Sequence, residues 1–142
     1  MKNKIILGTV QFGLDYGINN TAGKPTEQKV FELLNYAFKR NVRILDTADA
    51  YGSATELLGN YHESHFTPFL INTKFKKSTL SVQKQLDASL KSLKTDQVNT
   101  YFYHSFEDFI TFPELLKELI ELKEQNTIKK IEKECFSIVT FA

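Results

Sequence analysis

A single cysteine, Cys135, among 142 residues leaves no partner for an internal disulfide and rules out a clustered-cysteine metal site. That usage fits a reducing compartment or indifference to redox. Charge of one sign is also missing, with 18 basic side chains against 17 acidic ones and a net charge of +1. Without a basic field the chain has no electrostatic preference for nucleic acid or for a membrane surface. Long apolar runs are absent too: no stretch approaches the ~18 apolar residues of a membrane span. Lys2 and Lys4 precede only a short apolar run broken by Gly8, which is not a signal-peptide pattern. The expected compartment is the cytoplasm. What is present is an average globular composition, 42% hydrophobic and 25% charged, at a length that suits one domain over residues 1–142.

Apolar periodicity divides the chain into alternating strands and helices. Residues 4–12 have the β-branched and aromatic content of a buried strand, and a Gly-, Asn- and Asp-rich loop follows to Pro25. Between Glu27 and Arg40, apolar residues recur at helical spacing, with Thr26 placed to cap the N-terminus. A second strand is expected over 42–47, a short helix ending at Gly59, and a third strand over 69–75. Val82, Leu86, Leu90 and Leu93 define an amphipathic helix within 80–94. Residues 98–104 read as a fourth strand and 113–125 as a helix with Pro in its first turn. The mixed charges from Lys117 to Lys133 read as that helix's exposed face and its exit. Strand–helix alternation predicts parallel pairing through right-handed crossovers. An open, flavodoxin-like sheet satisfies the same alternation, so periodicity alone does not choose the fold.

The chemistry gathers where strands end. Asp46, Tyr51, Lys74 and His104 all lie at or just past the carboxyl ends of predicted strands, so they should open on one face of the sheet. Singly, each has a structural explanation: a turn cap, a rim aromatic, a solvated ammonium, a histidine bonded to a carbonyl. Together they make a proton-transfer set. A phenol with a pKa of about 10 is a poor acid at neutral pH, and a nearby ammonium favours its ionised form. Asp46 would hold Lys74 charged and oriented, while His104 hydrogen-bonds a carbonyl oxygen to which Tyr51 gives a proton. Glu56 reads as support for the loop after the second strand. His62 and His65, expected in a polar loop, form no metal-ligand pattern, and Lys76 and Lys77 read as a solvated pair.

The stretches Leu-Gly-Thr-Val-Gln-Phe-Gly at 7–13, Asp-Thr-Ala-Asp-Ala-Tyr-Gly at 46–52, Glu-Leu-Leu-Gly at 56–59, Thr-Lys at 73–74 and Tyr-His at 103–104 carry a specific resemblance. The sequence resembles the aldo-keto reductases, which fold as eight-stranded (β/α) barrels and reduce carbonyls with NADPH. The resemblance implies Tyr51 as general acid, Lys74 and Asp46 tuning it, and His104 orienting a small-molecule carbonyl substrate. It also implies that Gly8 and Thr9 lie below the nicotinamide. No metal is implied.

A barrel of this kind takes about 250 residues. The resemblance runs to about Ile131 and covers the first half of the family only, with 132–142 a divergent tail. The expectation is therefore an α/β fold of four to five parallel βα units, half of a TIM barrel. It would be a truncated product whose cofactor contacts from the second half are absent and whose activity is doubtful. The alternative is an inactive half-barrel that self-associates or binds a partner. Open strand edges and an uncovered inner face predict a homodimer or higher oligomer, two copies closing an eight-stranded core. The apolar tail Phe136 to Phe141 is expected to add a strand, cover an edge or cross to a partner.

Overall fold

Strands and helices alternate along the chain, and the strands lie side by side in chain order. The computed structural model of the chain describes residues 5–18, 20–65 and 69–132. The elements run β1 (Ile6–Gly8), α1 (Val10–Gly13), α2 (Glu27–Lys39), β2 (Ile44–Asp46), α3 (Ala54–Ser64), β3 (Leu70–Phe75), α4 (Val82–Leu93), β4 (Val98–Tyr103), α5 (Phe106–Thr111), α6 (Leu115–Glu124) and β5 (Ile128–Glu132). All four pairings in the five-stranded sheet are parallel, in the order β1-β2-β3-β4-β5. A parallel sheet whose neighbours are consecutive is what repeated βα units build when every crossover has the same hand.

Local signals set several boundaries. The Thr26 hydroxyl accepts from the Lys29 N–H at the start of α2, and the Ser81 hydroxyl does the same for Lys84 at the start of α4. One face of the sheet packs on the helices: Leu45, Ile71, Phe75 and Tyr101 join Val30, Leu34, Leu58, Leu86, Leu93 and Leu119 in a buried cluster. Residues on the other side of the pleat include Asp46 and Lys74, which is how an alternating strand presents polar groups away from its core.

Four sequence expectations are corrected. The first strand is only Ile6–Gly8, because both the N–H and the hydroxyl of Thr9 bond the Asp46 carbonyl and the chain then turns into α1. The helix expected to stop at Gly59, α3, continues to Ser64, and it carries His62 while His65 stands at its C-cap, so neither lies in a polar loop. Gly59 serves packing instead. A Cβ there would come within 2.1 Å of the Ser92 carbonyl oxygen, so glycine lets α3 and α4 approach closely. The stretch read as the exit of the last helix is in part a strand. Asn126 takes φ +63, α6 ends, and Ile128–Glu132 pairs with β4. Finally, a short helix, α5, capped by the Ser105 hydroxyl, fills the stretch between β4 and α6. The segment Phe136 to Phe141 and Cys135 lie outside the described residues. No helix among the described residues is long and apolar enough to cross a membrane.

Candidate active site

Asp46 is the last residue of β2, Lys74 the penultimate residue of β3, and His104 follows β4 directly. Parallel strands in register bring all three to one end of the sheet. The His104 N–H donates to the Phe75 carbonyl at 2.8 Å, which continues the β3–β4 pairing one step and fixes the backbone that carries the imidazole. Tyr51 comes from the loop between β2 and α3, where its N–H closes a turn on the Ala48 carbonyl at 2.9 Å.

Lys74 is the centre of the arrangement. It is 3% exposed, and its ammonium donates to Asp46 Oδ2, to the Thr47 carbonyl at 3.1 Å and to the Tyr51 hydroxyl at 3.3 Å. An ammonium has three N–H donors, and three oxygens stand within its reach. Because the Tyr51 oxygen accepts from Lys74, its own O–H is left to point elsewhere. The Lys74–Asp46 ion pair is buried on both sides. Burial pushes the Asp46 carboxyl up from its ordinary value of 3.8, and the Lys74 charge and hydrogen bond pull it back.

Gly8, Thr9, Val10, Tyr16, Asp46, Tyr51 and His104 line one pocket of about 400 Å³. The fold therefore brings together all the residues singled out in the sequence: Asp46, Lys74 and Tyr51 in direct contact, and His104, Gly8 and Thr9 around the same cavity. Thr9 is fully buried, and its hydroxyl is already engaged by the Asp46 carbonyl. Three participants were missed. Tyr16 and Val10 line the pocket, and the Thr47 carbonyl helps to hold Lys74. Tyr16 had a usable signal, since it sits in the Gly-, Asn- and Asp-rich loop that follows the first predicted strand. A backbone carbonyl leaves no mark in a sequence.

Burial lowers the pKa of His104 from its ordinary 6.5, and the positive charges of Lys76 and Lys74 lower it further. The ring is therefore neutral at pH 7. A group whose folded pKa lies below its unfolded value binds fewer protons in the native state over that interval, so stability falls as pH drops below 6.5. His62, lowered by burial, acts in the same direction. The urea midpoint is expected to decline on acidification from pH 6.5, and His104→Gln should flatten part of that slope. An unchanged slope in the variant would show that His104 is not desolvated.

A parallel βα sheet that gathers a buried lysine–carboxylate pair, a tyrosine and a histidine at one end of its strands fits the (β/α)-barrel class of fold. The Aldo/keto reductase family model matches residues 4–132, and the chain belongs to that family. It is 28% identical over 120 residues to "Probable aldo-keto reductase 1" of Glycine max, a match that takes in 74% of this chain and 35% of that protein. A crystal structure described as a "putative aldo-keto reductase" of Pseudomonas aeruginosa superposes with a TM-score of 0.77 at 28% identity, covering 92% of this chain and 54% of the other. An aldo-keto reductase of Klebsiella pneumoniae, solved in complex with NADPH, has the same fold at a TM-score of 0.69 and 15% identity, covering 94% of this chain and 45% of that one. The chain thus spans about a third of the curated relative and about half of each solved structure.

Proposed function

We propose that this chain carries the acid–base half of an NADPH-dependent carbonyl reductase site. The observation behind this reading is the Tyr51 hydroxyl held by a buried Lys74–Asp46 pair at the wall of a pocket that it shares with His104. A cavity of about 400 Å³ has the size of a small-molecule site, and Gly8 and Thr9 on its wall leave room for a flat ring such as nicotinamide. NADPH, when bound, supplies the hydride that a carbonyl carbon accepts. The chain's own residues do the rest. His104, neutral at pH 7, offers an N–H to the carbonyl oxygen, and Tyr51 transfers its hydroxyl proton to that oxygen as negative charge builds there. Lys74 stabilises the resulting phenolate, and Asp46 keeps the ammonium charged and oriented. Isothermal titration with NADPH, followed by an assay of aldehyde reduction, tests the reading. Saturable binding with turnover supports it, and absence of both overturns it.

A second reading is a non-catalytic half-barrel that pairs with a copy of itself. Ile6 and Leu70, 38% and 40% exposed, stand in register with Ile44 across three strands and make an apolar row on the side of the sheet away from the helices. In parallel sheets both faces are ordinarily covered. Among the described residues β1 and β5 are edge strands, and a second copy in the same orientation can meet β5 with its β1. With the five strands of the described residues in each copy, such a ring has at least ten strands and is correspondingly wider than an eight-stranded one. Sedimentation is expected to give a dimer or larger species. A compact, folded monomer at micromolar concentration would rule out self-association.

A further inference from the structure

Tyr51 is useful only while its hydroxyl stays within reach of Lys74, yet it stands on a loop. Both ends of that loop are anchored: the Thr47 N–H donates to the Asn72 carbonyl at 2.9 Å, and the Ala54 N–H to the Tyr51 carbonyl at 3.1 Å. Behind it, α1 presses close, since a Cβ on Gly13 would lie 1.8 Å from the Tyr51 carbonyl oxygen. Between these anchors the chain makes a single turn from Ala48 to Tyr51, with Asp49 as its second residue. Asp49 Oδ2 accepts a 2.7 Å hydrogen bond from Ser89 Oγ on α4, 40 residues away. Ser89 is fully buried. Its helix is itself fixed against α3 by the Ser92–Thr55 hydroxyl bond of 3.1 Å and by the close approach at Gly59.

We infer that Asp49 is a positioning residue: its bond to Ser89 ties the turn that ends in Tyr51 to α4 and so sets where the phenol stands relative to Lys74. The Ser89 hydroxyl has one proton and two acceptors in range, the Asp49 carboxylate and the Gln85 carbonyl at 3.0 Å. Asp49 Oδ2 is the nearer acceptor, at 2.7 Å against 3.0 Å, which favours it. A four-residue turn closed by its own backbone hydrogen bond moves as a unit, so holding its second residue also holds its fourth. Asp49 stands on the exposed turn while Ser89 is fully buried, so the bond ties a surface turn to the packed interior. The catalytic consequence rests on the reductase reading above, whereas the positional consequence does not.

The test compares Ser89→Ala, Asp49→Ala, Asp49→Asn and the Ser89→Ala/Asp49→Ala double variant in the full chain. Ser89→Ala is the primary variant, since it removes one hydroxyl and leaves a good helix former in α4. Two readouts are taken: kcat and KM for NADPH-dependent reduction of benzaldehyde, and the ring 13C resonance of Tyr51, assigned by its loss in Tyr51→Phe. Ser89→Ala and Asp49→Ala are expected to lower kcat by about tenfold with KM little changed, as a small misplacement of a reacting group does. Asp49→Asn, which keeps an oxygen acceptor, should retain most of kcat, and the double variant should be no worse than either single one. The Tyr51 resonance should shift and broaden in the two alanine variants only. If the chain does not turn over but the resonance moves as described, the positioning role stands and the reductase reading falls. If the resonance is unmoved in Ser89→Ala and Asp49→Ala, the positioning role is overturned, whatever the activity.

Discussion

Tyr51→Phe is expected to lower NADPH-dependent carbonyl reduction by about 100- to 10,000-fold, the usual contribution of a positioned proton donor. The ring stays and only the oxygen leaves. That oxygen is the atom 3.3 Å from Lys74 Nζ and the group in the pocket best placed to give a proton to a developing alkoxide. His104, neutral and on the same wall, can still polarise a carbonyl, so residual activity above the uncatalysed rate is consistent with the mechanism. Fold stability should change little, because Lys74 keeps Asp46 and the Thr47 carbonyl. The assay compares initial rates of the two proteins at matched pH, with urea midpoints as the control. Equal rates would remove Tyr51 from the chemistry and with it the proposed mechanism.

Lys74→Met is expected to cost about 3–5 kcal/mol, because removing one member of a buried ion pair leaves the other charged and uncompensated. Asp46 is 3% exposed, so little water reaches its carboxylate in place of the ammonium. Domains are stable by only about 5–15 kcal/mol, so the loss is a large part of the total and should appear as a sharp fall in urea midpoint. Acid should relieve it. In the variant the Asp46 carboxyl loses the positive charge that opposed the effect of burial, and its folded pKa stands further above its ordinary 3.8. The native state then takes up the proton first, and stability recovers as pH falls through the raised value toward 3.8. An Asp46→Leu/Lys74→Met double variant should regain most of the stability and remain inactive, since apolar replacement of a buried pair is often neutral. A midpoint for Lys74→Met close to that of the parent would mean that the pair is more hydrated than its burial indicates.

The two predictions draw on different layers of information. Asp46, Lys74 and His104 were legible because strands alternate faces and end at loops, so a polar residue closing an apolar run declares both its side and its end of the sheet. The caps Thr26 and Ser81 were legible for the same reason, as their effect is confined to one turn. β5 was not. Its Lys129 and Lys130 sit beside the apolar Ile128 and Ile131, and directly after a helix with mixed charges that pattern reads as a helix exit until β4 stands next to it. α1 was lost inside an apolar run because the residue that ends β1, Thr9, acts through a bond to a carbonyl 37 positions away.

By itself, then, the sequence determined the alternation of elements, the strand ends at which the polar residues fall, and the family to which those residues point, because each depends on contacts within a few residues or on side-chain type. Only the tertiary structure decided that Lys74 meets Asp46, Thr47 and Tyr51 at once, that His104 shares their pocket and is neutral, that Asp49 is tied to Ser89, and that the sheet has a fifth strand. Those facts depend on distance and dielectric between segments 23 or more residues apart, and these exist only once the helices have packed on the sheet.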